Sequence, residues 1–124
     1  MIYVDGGKEK QREDAIEAAS FVWNSLFPRI NRCSIDIHLC NLSNKTGDCL
    51  ELDDRKFEIR IDKNQGFEDF MTCIMHEMVH VKQHIRKEFK NYDFKTYKEY
   101  INHPAEKEAY ALQEELFSKW KVQN

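Results

Sequence analysis

Apolar residues first recur at helical spacing. Between residues 9 and 27, Ile16, Ala19, Val22, Trp23, Leu26 and Phe27 share one side, and the opposite side is charged. This pattern predicts an amphipathic helix, which Pro28 ends. The period then drops to two. Ile35, Ile37 and Leu39 alternate with Asp36, His38 and Cys40, as expected of a strand with one buried face. Residues 41–47 have turn chemistry. Two more strands are predicted over residues 49–52 and 56–62, the latter from Phe57, Ile59 and Ile61 alternating with Glu58, Arg60 and Asp62.

Helical spacing returns over residues 67–86, where Phe67, Phe70, Met71, Ile74, Met78, Val81 and Ile85 make one stripe. Residues 87–103 mix lysines with Phe89, Tyr92, Phe94, Tyr97 and Tyr100, and their period assigns no element. Pro104 sits where a first-turn proline belongs. A last helix is predicted from there to about Trp120, with Ala105, Ala109, Leu112 and Leu116 on one face. The expected fold is α+β: an N-terminal helix, a small three-stranded, mostly antiparallel sheet, a central helix and a C-terminal helix. The 124 residues suit one domain spanning residues 1–124.

Composition narrows the function classes. Hydrophobic residues make up 41% and aromatics 12%, enough for a packed interior, so wholesale disorder is not expected. Net charge is -3 with both signs interspersed, which does not suit a dedicated nucleic-acid binder. No run approaches the roughly 20 apolar residues of a membrane span. The N-terminal residues 1–7 lack the basic start and long apolar run of a signal peptide, so a cytoplasmic location is expected. Cys33, Cys40, Cys49 and Cys73 form no CxxC pair; buried free thiols are expected rather than a cysteine-rich zinc site.

One constellation carries chemistry. His76-Glu77-Met78-Val79-His80 is an HExxH match inside the predicted central helix. His76 and His80 lie four apart and therefore project from one face, turned away from the apolar stripe. Two imidazoles so placed can bind one Zn²⁺, with Glu77 beside them to take the proton of a bound water. Zinc hydrolases use three protein ligands and one open position, so a third ligand must come from elsewhere. Glu106 is favoured: it lies in the first turn of the last helix, and Ala109 one turn on permits close helix approach. Glu108 faces some 200° away on the same helix, and His103 precedes it as a possible loop ligand. His84 would require one helix to wrap three consecutive turns around an ion. Cys73 precedes His76 by one turn and reads as a packing residue.

On the HExxH motif, the Glu106-x-x-Ala109 pattern and the order of elements, the chain resembles the gluzincins. It looks most like their small single-domain members, such as the phage-borne, SprT-like and ImmA/IrrE-like peptidases. That resemblance implies a zincin-like fold, His76, His80 and Glu106 as zinc ligands, and Glu77 as general base. The larger gluzincins' NExxSD motif is absent. So is the metzincin extension, since residues 83 and 86 are Gln83 and Arg86.

The expected activity is hydrolysis of peptide bonds in an exposed or unfolded protein segment, with an edge strand aligning the substrate. Tyr110, or a tyrosine among Tyr92, Tyr97 and Tyr100, is a candidate donor to the oxyanion. The alternative is a zinc-stabilised binding module without turnover. Glu77 favours the enzyme, because it adds nothing to such a structural site. A nucleic-acid role finds support only in the Lys-aromatic stretch.

Overall fold

The computed structural model describes residues 1–89 and 97–124. Its elements are β1 (Ile2–Gly6), α1 (Glu9–Leu26), β2 (Ser34–Cys40), β3 (Gly47–Asp53), β4 (Lys56–Asp62), α2 (Phe67–Ile85), α3 (Tyr97–Asn102) and α4 (Pro104–Gln123). The fold is α+β, as expected, but the sheet is neither three-stranded nor mostly antiparallel. It has four strands in the order β1-β2-β4-β3. β1 pairs parallel with β2, β2 pairs parallel with β4, and only β3 is antiparallel to its neighbour. This departs from the zincin-like layout expected from the sequence.

The missing strand has a physical explanation. β1 is five residues long, and only Ile2 and Val4 turn inward, too few to establish a period. Its partner lies more than thirty residues away, across α1, so no hairpin signal marks it. Gly6 closes the strand with φ at +81°, in the left-handed region. A Cβ there would stand 2.1 Å from the Leu39 carbonyl oxygen.

β2 and β4 alternate buried and more exposed residues along their length. Ile35, Ile37, Leu39, Phe57, Ile59 and Ile61 join the buried core. Asp36, His38, Glu58 and Arg60 fall on the opposite, more exposed face. One cross-strand row on that face pairs Asp5 with His38 and Asp48 with Arg60.

α1 contributes a face of small residues, Ala15, Ala18, Ala19 and Val22, all fully buried. Ile16, expected in that face, is instead 45% exposed, because the alanine stripe rather than the largest side chains meets the core. α2 packs on α1, β3, β4 and α4. Every residue from Phe70 to Gln83 is buried, so its histidine face is not a surface but a second interior seam. α4 covers that seam with Ala105 and Ala109, neither exposed. All four cysteines are free; Cys33 and Cys73 are buried, and Cys40 and Cys49 only partly so. No helix among the described residues is long and apolar enough to cross a membrane.

Gly6→Ala should destabilise the protein by about 2–5 kcal/mol, the sum of left-handed strain and overpacking against Leu39. Urea denaturation measures this, and a variant as stable as the parent would remove β1 from the core.

Candidate metal centre

The central helix sets two imidazoles side by side. His76 and His80 are one turn apart on α2, and their Nε2 atoms are 3.2 Å from each other. α4 brings a carboxylate to the same point. Pro104 and the His103 cap start α4, and Glu106 follows in its first turn. Its Oε2 lies 3.0 Å from His76 Nε2, and its Oε1 lies 2.9 Å from His80 Nε2. All three side chains are buried. Among the described residues this trio meets the geometric requirement for holding a metal ion.

Two glutamines, absent from the sequence reading, decide which nitrogen of each ring faces the centre. Gln83 Nε2 donates to the Ala105 carbonyl at 3.0 Å and to Glu108 Oε1 at 2.9 Å. Its Oε1 must therefore accept from His80 Nδ1, at 2.7 Å. Gln113 Nε2 donates to Glu114, leaving its Oε1 to accept from His76 Nδ1 at 2.8 Å. Both neutral rings then carry their proton on Nδ1 and aim an Nε2 lone pair inward. Lone pairs and a carboxylate this close repel unless a metal ion, or a second proton carried on Nε2 of a ring and donated to Glu106, lies among them. A metal ion fits that requirement, and the glutamines are the outer partners that such ligands need.

Charge follows the same geometry. Burial alone would raise Glu106, but its hydrogen bonds to His76 and His80 outweigh that and hold it at about 2. Burial depresses His80, yet the Glu106 hydrogen bond and the Glu77 charge leave it raised. Glu77 is buried at 5% exposure, and burial lifts its carboxyl above the usual range against the pull of His80 and His76. A divalent cation beside it would lower it again.

The rival ligands are employed elsewhere. Glu108 pairs with Lys82 at 3.0 Å, on the far side of Gln83 from the rings. His103 caps α4, its Nδ1 accepting the Ala105 N–H at 3.0 Å. His84 packs against Phe57 with ring centres 5.8 Å apart. Cys73 donates to the Thr46 carbonyl, and burial pushes its thiol up to about 12.

Two clefts open on the centre, of about 350 and 520 Å³. Thr46, Gly47, Glu77, Tyr100 and Tyr110 line both. β3, an edge strand of the sheet among the described residues, supplies the common wall through Gly47. Only glycine fits there, since a Cβ would approach Cys73 Sγ to 2.8 Å and the Arg60 carbonyl to 3.0 Å. Tyr110 packs at a tilt against His76, ring centres 4.6 Å apart, and is 46% exposed. Tyr100 is kept a neutral phenol, first by burial and then by the charge of Glu106. Tyr92 and the side chain of Tyr97, the other candidate donors, lie outside the described residues.

Competitive chelator titration should rank the ligands. Glu106→Ala should lose at least a hundredfold in divalent-metal affinity, Gln83→Ala about 10–100-fold, and Glu108→Ala less. His103→Ala should leave affinity intact while costing about 1 kcal/mol of stability as a lost cap. Equal affinity in Glu106→Ala and wild type would contradict the assignment. No protein-family model matches the chain, and neither a curated protein nor a solved structure matches it.

Proposed function

We propose that this protein is a zinc-dependent metallopeptidase of gluzincin type. The observation that carries the reading is the convergence of His76, His80 and Glu106 with the Glu77 carboxylate beside the same clefts. Two imidazoles and one carboxylate, with one position open, form a ligand set of zinc hydrolases. In a tetrahedral site with bonds of about 2.0–2.1 Å, neighbouring ligand atoms stand about 3.3–3.4 Å apart. The separations of 2.9, 3.0 and 3.2 Å lie within a few tenths of that range.

His76, His80 and Glu106 would hold the ion, and Gln83 and Gln113 would keep both rings turned inward. Bound Zn²⁺ supplies a Lewis acid and a water of lowered pKa. Glu77, beside that site, would accept a proton on its carboxylate and return it to the departing amine. Its raised affinity for protons, before the ion's own charge is felt, suits a group that must take and give one. Tyr100 and Tyr110, at the walls of both clefts, are the described candidates to donate to the developing oxyanion. The free edge of β3 can pair with an extended substrate backbone, which favours an unfolded or exposed protein segment. A cytoplasmic setting agrees with the four free cysteines.

The second reading keeps the metal and omits turnover. Glu77 speaks against it, since no hydrogen bond or ion pair among the described residues uses this buried carboxylate. Glu77→Gln separates the two readings. The variant should bind one zinc ion with near wild-type affinity and lose at least a thousandfold in peptide hydrolysis, because an amide cannot accept the proton. Hydrolysis by the variant at the wild-type rate would remove Glu77 as base. A wild type that binds zinc but cleaves nothing in a broad peptide library would leave the binding module.

A further inference from the structure

The two clefts differ in what they offer a ligand. In the larger, Lys45 pairs with Asp48 at 3.1 Å and Arg60 also binds Asp48, so that carboxylate is already taken. The smaller cleft lies toward the start of α2, and Asp69 lines it. Asp69 is exposed and makes no ion pair or side-chain hydrogen bond among the described residues.

Its neighbours have spent their donors. The Gln65 amide donates to the carbonyls of Asp62 and Thr46. The Thr72 hydroxyl donates to the Glu68 carbonyl. The Cys73 thiol donates to Thr46. What these residues have left to give is acceptors: the Asp69 carboxylate, Gln65 Oε1 and the Thr72 oxygen lone pairs, while the phenols of Tyr100 and Tyr110 line the same cleft. Glu77, beside the candidate metal centre, lines the same cleft, so the wall offers carboxylates and neutral acceptors together, a lining that selects a cation rich in N–H groups.

We propose that this cleft is the subsite for a basic substrate side chain, Arg or Lys, with Asp69 as the specificity-determining residue. The inference rests on the peptidase reading for its place in a reaction, though not for its chemistry. Asp69 precedes His76 by seven residues, about 10 Å along the helix axis. An extended chain advances about 3.3 Å per residue. The basic residue therefore lies one to three positions from the cleaved bond, always on the side facing the start of α2. The Arg planar fork matches a carboxylate better than the Lys ammonium does, so Arg is preferred.

The test uses full-length, zinc-loaded protein and matched peptides carrying Arg, Ala or Glu at successive positions. Wild type should cleave the Arg peptide at least tenfold faster than the Ala peptide at a single position. Asp69→Asn should bring that ratio within twofold, Asp69→Lys should invert it toward Glu, and Asp69→Glu should retain it. Rising salt should erode it, as screening requires. A preference that survives Asp69→Asn, or cleavage indifferent to Arg, overturns the proposal. The same peptides are also titrated into zinc-loaded Glu77→Gln by fluorescence polarisation. If wild type cleaves nothing, the peptidase reading fails and binding alone decides the cleft. Tighter binding of the Arg peptide that Asp69→Asn abolishes upholds the subsite, and equal binding of all three peptides overturns it.

Discussion

Three electron-rich atoms held within 3.2 Å of one another in a buried seam are the constraint on which the rest of the structure depends. The Nε2 atoms of His76 and His80 and the carboxylate of Glu106 cannot be neighbours there without a positive charge to share. The helices are built around this requirement. α2 is buried along both faces, with one toward α1 and the sheet and the other toward α4. Ala105 and Ala109 keep the α4 surface low enough for the Glu106 carboxylate to reach both rings. The α4 residues Glu106, Tyr110 and Gln113 recur at helical spacing, so docking one helix supplies the carboxylate, a cleft wall and a ring-orienting amide together.

Outward from the trio, each layer limits the next. Gln83 holds His80 because its amide is pinned between the Ala105 carbonyl and Glu108, and Glu108 is pinned in turn by Lys82. That chain explains why Glu108, two residues from Glu106, is turned away from the rings. The β3 edge stands close to α2 only because residue 47 is glycine, and this closeness shapes both clefts on the centre.

The parts of this arrangement legible in the sequence are those written locally. His76, Glu77 and His80 lie within five residues of one helix, where spacing alone places both rings on one face. The meeting of Glu106 with the two rings was legible because helix geometry separates it from Glu108, and His103 is instead occupied in capping α4. β1 was not legible, since a short strand pairing in parallel across α1 leaves no local period. Ile16 misled because hydrophobicity is not burial: α1 meets the core through alanines. Gln83 and Gln113 left no signal at all. An amide acquires its role only from what surrounds it in space.

The central claim is that two imidazoles and one carboxylate, with no thiol, hold a zinc ion. X-ray absorption at the zinc edge of the zinc-loaded, full-length protein tests it directly. The account predicts a four-coordinate shell of nitrogen and oxygen at about 2.0–2.1 Å, with the outer scattering of two imidazole rings. A sulfur neighbour at about 2.3 Å, which would bring in Cys73 or Cys49, or a shell with fewer than two imidazoles, would contradict it.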